Sequence, residues 1–215
     1  MEFNGPEQAD LVDVCSLNTA FLEYLRGPLG ARLRHDMPAS LQPVVGALTE
    51  RQLHRLANVP FLLLSLSESD DTFWSRSLVD SPVEDLFAAG RGEADPLGRI
   101  AAATLGFLWQ LSRRNAYATR LISGASLCWC EQLAACTLLS VLQCAALHQE
   151  LIRPRLAGNT VFWTRLLGAG LSSADDVRRA AHLSALQTML LPDDTKRVKR
   201  FRSAACYSSV PSLKL

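Results

Sequence analysis

From Ser126 to His148 the chain carries apolar side chains around nearly the whole circumference of a helix, with one charge, Glu131, among them. A run of this kind either crosses a bilayer or is wrapped by other elements of its own fold. Glu131, Gln132, Gln143 and the scattered cysteines favour the second solution. A carboxylate inside an ordinary span costs roughly 2.5–3.5 kcal/mol on insertion, and the basic flanks lie on one side only. The expectation is a central apolar helix over 126–148, buried in a soluble bundle, with no membrane insertion.

The rest of the chain supplies the wrapping. Leu and Ala dominate while β-branched and aromatic residues are sparse, a bias toward helix. Leu11, Val14, Cys15, Leu17, Phe21, Leu22 and Leu25 recur on one face of a first helix, which Gly27, Pro28 and Gly30 end. A short helix after Pro38 turns Leu41, Val44, Val45 and Leu48 inward. Thr49 with Gln52 three residues later reads as a capping box. The apolar run Phe61–Leu66 fits a buried strand or a helical turn equally well, and the helical turn is preferred only because no partner strand is evident. Asp95 and Pro96 open a long helix through Ser112. Two more follow over Thr160–Leu167 and Ser173–Leu191, the second capped by Ser173 with Asp175 and Asp176 in its first turn.

The fold class expected is therefore all-α, a multi-helix bundle arranged as two packed helical subdomains around the central helix. Residues 1–78 form the N-terminal helical region, 79–95 a turn-rich connection with a short helix near Val83–Ala89, 96–192 the C-terminal bundle, and 193–215 a basic, polar tail. With 48% apolar residues, 20% charged residues and a net charge of +1, the chain reads as globular and has no global field for nucleic acid or anionic lipid. The start lacks the basic and apolar regions of a signal peptide, so a cytoplasmic location with reduced cysteines is expected.

Chemistry is sparse. Cys128 and Cys130 fall on different sides of one helix with no histidine beside them, so neither a zinc site nor a catalytic thiol is expected; Cys130 is the most reactive reading available. The four histidines are dispersed. The acidic pairs Asp70-Asp71, Asp175-Asp176 and Asp193-Asp194 sit beside turns or helix starts, where capping explains them. No cofactor is implied. The densest polar constellation is Ser112–Ser126, where Arg113, Arg114, Tyr117, Arg120 and Ser126 are candidates for binding a phosphate or a carboxylate. Its structural alternative has the arginines satisfying carbonyls and acidic neighbours. In the tail, Lys196, Arg197, Lys199, Arg200 and Arg202 are the candidates for nucleic-acid contact.

Residues 17–66 carry a resemblance. Ala47, Leu48, Thr49, Gln52, Leu56, Ala57 and Leu62, preceded by Leu17-Asn18-Thr19-Ala20-Phe21-Leu22, resemble the first helices of the flagellar transcriptional activator subunit FlhD family. That family is shorter, Asn58-Val59-Pro60 departs from its pattern, and nothing after residue 70 follows it. The resemblance implies a bacterial cytoplasmic protein, dimerisation through the N-terminal helices, and transcriptional regulation with a partner subunit. It transfers no DNA-contacting residue. The expected function is a non-enzymatic regulator or adaptor acting through a protein partner, with homodimer formation and DNA as further partners. The alternatives are a structural or chaperone-like component of a secretion or flagellar assembly, using Phe73, Trp74 and Phe162, and a protein binding a phosphorylated ligand.

Overall fold

The computed structural model describes residues 5–70, 72–74, 95–148 and 151–191. Among them the fold is all-α, as the composition predicts, with a single two-residue strand pairing. Helix α1 (Gln8–Arg26) buries Val14, Asn18, Phe21, Leu22 and Leu25. It ends at Gly27 and a 3-10 turn, Pro28–Gly30. Gly30 is required there, because a Cβ would lie 2.3 Å from the Tyr24 carbonyl oxygen. Short helices α2 (Ala31–Arg34) and α3 (Gln42–Gly46) follow. Leu41, Val45 and Leu48 point inward as expected, whereas Val44 is exposed. In α4 (Glu50–Ala57) the Thr49–Gln52 capping box is formed in both directions.

The middle of the molecule differs from the sequence expectation. The segment 126–148 is two helices, α7 (Leu127–Ala135) and α8 (Leu138–Leu147), bent by 111° at the break. Cys136 and Thr137 are extended, the Thr137 hydroxyl caps the new helix by accepting from Ser140 N at 3.1 Å, and Trp109 Nε1 holds the Cys136 carbonyl at 2.9 Å. A good cap at the break satisfies donors that a continuous helix would have satisfied internally. The central element of this region is instead α5 (Pro96–Arg114), which meets α1, α6 (Ala116–Ser123), α7 and α8. Among the described residues no single helix is long and apolar enough to cross a membrane.

The apolar side chains of Phe61–Leu66 are fully buried, but the run is not helical. Leu64–Ser65 forms strand β1, antiparallel to β2 (Arg153–Pro154), with Leu64 opposite Pro154 and Ser65 opposite Arg153. The partner lies some ninety positions away, which local pattern cannot reveal. Helix is excluded because other parts of the chain take the backbone groups a helix would pair internally. Asn18 donates to the Ala57 and Phe61 carbonyls at 3.2 and 2.9 Å and accepts from Leu63 N at 2.8 Å. Ile122 accepts from Leu62 N at 2.9 Å, and Arg155 N donates to the Leu63 carbonyl at 2.8 Å. The Arg155 guanidinium reaches the Leu62 carbonyl at 2.7 Å, the Leu64 carbonyl, and the Glu68 carboxylate at 2.9 Å.

The C-terminal region adds α9 (Thr160–Leu167), a 3-10 turn Ala169–Leu171, and α10 (Asp175–Leu190). Ala174, not Ser173, occupies the cap position of α10, and the Ser172 hydroxyl accepts from Ala174 N. Three side chains donate to successive carbonyls of the turn: His182 to Gly170 at 3.3 Å, Arg55 to Leu171 at 3.0 Å and Arg178 to Ser172 at 2.9 Å. One apolar core runs from Val14 to Met189 and joins the N-terminal and C-terminal helical regions. The connection 79–94, its expected short helix and the tail beyond Leu191 lie outside the described residues.

Arg155 and Glu68 are each 5% exposed, so removing one partner strands a buried charge. Glu68→Ala should lower stability by about 3–5 kcal/mol in urea unfolding. Glu68→Gln, which still offers Arg155 an acceptor, should lose clearly less. His182 titrates below its ordinary value because burial disfavours the imidazolium, against a raising effect of the Gly170 bond and a further lowering by Arg178. The unfolded chain therefore binds this proton more readily than the folded one. The contribution of neutral His182 should be complete above about pH 6.5 and decline as pH falls below it. Urea midpoints measured across that window should fall less in His182→Gln than in the unmodified chain.

Candidate functional site

The polar clamp on Phe61–Leu66 also shapes a surface. Below the clamp the guanidinium of Arg155 is buried; beside it the chain emerges at Ser65–Asp70 on one strand and Arg153–Ala157 on the other. Between these stretches and Asp36 lies an open cleft of about 630 Å³, lined by Asp36, Ser65, Ser67, Asp70, Arg153 and Leu156 among others. Two of its lining residues have left-handed backbone without being glycine, Ser67 at φ +56° and Leu156 at φ +47°. Such conformations cost about 1–3 kcal/mol each and persist only where the surroundings impose them.

The imposing contacts are specific. Trp74 Nε1 donates to the Ser67 carbonyl at 3.1 Å, and Trp163 Nε1 donates to the Arg155 carbonyl, next to Leu156, at 2.9 Å. Ser65 Oγ donates to Glu68 Oε2 at 2.6 Å and accepts from Ser67 N at 3.2 Å. Asp70 N closes a turn onto the Ser67 carbonyl, and Asp70 Oδ1 accepts from Phe73 N at 3.0 Å, the capping role its sequence position suggests. On the outer rim Arg153 is 61% exposed and meets Asp36 only at 3.8 Å. Gly124, the turn residue between α6 and α7 at φ +67°, sits behind the clamp. A Cβ there would approach Met189 Cγ at 2.9 Å and Arg155 Nη1 at 3.4 Å.

None of the residues singled out over Ser112–Ser126 lines this cleft. Arg114 pairs with Asp10 in the first turn of α1 and with Glu7 at 3.8 Å, which ties α5 to α1. Arg113 lies over the Trp109 ring, 5.0 Å from its centroid. Ser126 caps α7 by accepting from Trp129 N at 3.1 Å. Arg120 and Tyr117 are exposed on α6. The basic candidates Lys196, Arg197, Lys199, Arg200 and Arg202 lie outside the described residues. The cleft itself escaped sequence reading, because its walls come from positions 36, 65–70 and 153–157. The polar Ser67-Glu68-Ser69-Asp70 stretch after an apolar run was its one local signal.

Among the described residues no group of three or more His, Cys, Asp or Glu side chains is placed to hold a metal ion. Among the described residues the groups with displaced titration, Tyr24, Cys130, Cys136 and His182, all lie away from the cleft lining. Burial pushes the Cys130 thiol up to about 12, with Arg120 lowering it and Glu68 raising it. It is a packed core thiol. No family model, curated protein or solved structure matches the chain.

Cys128 is exposed and Cys130 fully buried. Brief treatment of the folded protein with iodoacetamide at neutral pH should alkylate Cys128 and leave Cys130 unmodified until denaturant is added. Peptide mass spectrometry reads both sites, and early labelling of Cys130 would overturn the assignment.

Proposed function

We propose that this chain is a non-enzymatic regulatory or adaptor protein that acts through a protein partner docked at the Asp36–Asp70–Arg153 cleft. The observation that carries the reading is a cleft that is open and polar, yet rigidly held. Buried Arg155–Glu68 and two tryptophan indoles fix its strained rim. A small-molecule site is typically an enclosed, largely apolar pocket with titration-shifted groups inside it. Here the rim offers exposed charges of both signs at a pre-shaped surface, which suits recognition of a chain segment without a large ordering penalty.

The finer form of the proposal follows the resemblance over residues 17–66: a bacterial transcriptional regulator working with a partner subunit, dimeric, with the basic stretch Lys196–Arg202 contacting DNA. The sequence likeness supports the regulatory and dimeric parts, and the local cluster of basic residues in the tail is the support for the DNA contact. A structural or chaperone-like role is favoured by a different feature, the apolar side chains exposed on α10 and at its C-terminal cap, Val177 at 44%, Leu183 at 58% and Leu191 at 69%. Of the aromatic residues first considered for such a role, Trp74 and Phe162 are buried in the core.

A photo-crosslinking amino acid placed at Ser69 of the full chain tests the docking reading in cells. The expected result is a discrete adduct to one protein, identified by mass spectrometry, that is lost when Arg153→Glu reverses the rim charge. Adducts that form at an α10 position such as Leu183 but never at Ser69 would defeat it in favour of the apolar face.

A further inference from the structure

We infer that the backbone turn Gly170-Leu171-Ser172 is an acid-sensitive latch: a proton taken up by His182 frees α10 from α9 and α4 while α1 and α5 stay packed. The inference begins with how little apolar surface seats α10. Its buried side chains are Ala181, His182, Ala185 and Met189, whereas α5 buries Ile100, Leu105, Leu108 and Leu111 among others. The larger apolar residues Val177 and Leu183 of α10 are exposed. Two alanines and one methionine supply far less hydrophobic free energy than four leucine-sized side chains. The helix therefore depends on its polar bonds to the turn.

Those bonds converge. Gly170, Leu171 and Ser172 present successive carbonyl oxygens to His182, Arg55 and Arg178. A carbonyl only accepts, so Nε2 of His182 carries the ring proton and a second proton must go to Nδ1. The ring lies directly on the turn, since a Cβ on Gly170 would stand 3.6 Å from His182 Cδ2 and Nε2. The surroundings make the second proton costly. Burial disfavours the imidazolium and Arg178 repels it, against the favourable Gly170 bond. From α4 comes Arg55, another cation on the same turn. Glu50 of that helix is paired with Arg26, and its Arg51 and His54 are exposed. The titratable residue of α9 is Arg165, and Asp175 of α10 is already paired with Arg178.

Once released from the turn, the imidazole regains water and titrates near its ordinary value. The docked state thus binds the proton less readily than the released one, and falling pH favours release. Helix α10 packs chiefly on the turn and α9, so its departure leaves the contacts of α5 with α1, α6, α7 and α8 in place. It bares the Ala185–Met189 side and the Gly124 turn, against which Met189 lies.

Hydrogen exchange of the full-length protein, read by mass spectrometry at about pH 7.5 and about pH 5.5 and corrected for the intrinsic pH dependence of exchange, tests the latch. Peptides from α10 should lose protection several-fold in acid, with about tenfold the ceiling for one histidine a pH unit below its ordinary value. Peptides from α1 and α5 should keep theirs. His182→Gln still donates to Gly170 but cannot titrate, so its α10 should respond no more than its α5. Asp175→Asn, at an exposed position, should retain the acid response, which separates His182 from the Asp175–Arg178 pair. Loss of protection in α10 and α5 together overturns the inference. So does a His182→Gln chain that responds like the unmodified one, or an Asp175→Asn chain that no longer responds. If His182→Gln does not fold, the Asp175→Asn result decides.

Discussion

The guanidinium of Arg155 organises this molecule. From one buried position it holds the Leu62 and Leu64 carbonyls and the Glu68 carboxylate, while its own backbone bonds Leu63 and Trp163. A buried cation is expensive to desolvate, and it is tolerated only when carboxylate and carbonyl oxygens replace the lost water. That requirement dictates local geometry. The segment 61–68 must run extended past Arg155, and the Gly124 turn must come close enough that a Cβ there would touch the guanidinium. Asn18 completes the clamp from the other side, serving three backbone groups that no helix or sheet satisfies. The apolar core around this network supplies the bulk of the stability, and the network decides which of many compact packings is adopted.

The same clamp links stability to surface. Ser67 and Leu156 sit on the chain next to Glu68 and Arg155, and both are held in backbone conformations that side chains disfavour. Loops with freedom to relax would leave those conformations. Here the chain on each side is bonded to buried groups, so the rim stays shaped whether or not anything occupies it. A rim of this kind lowers the entropic cost of recognition. Function in this reading is therefore a by-product of how a buried ion pair is satisfied.

Cap chemistry was the most legible layer. Asp95, Ser126 and Thr49 each start a helix where the sequence places them, and each accepts the expected backbone N–H. The caps left unread, Asn115, Thr137 and Asn159, are of the same residue types. Thr137 is the instructive one. It lies within an apolar run, and only its contact with Ser140 and the hold of Trp109 on Cys136 show that the chain turns there. The arginines of Ser112–Ser126 were conspicuous by density, yet Arg114 is bound to Asp10, over a hundred positions away, and Arg113 lies over an indole. Local density does not say whether a charge faces a ligand or its own fold.

Sequence alone determined the helical class, most helix starts and ends, and the buried face of the first helix, because caps, breakers and periodicity act within one or two turns of chain. It did not foresee that Leu138, Leu139 and Leu147, read as part of a buried central helix, are exposed. Tertiary structure decided the break at Cys136-Thr137, the extended path of Phe61–Leu66, and the cleft between Asp36, Ser67 and Arg153. Each of these depends on partners dozens of residues apart. The free energy that selects them comes from satisfying buried polar groups, a demand that arises only once the chain has collapsed and water has been excluded.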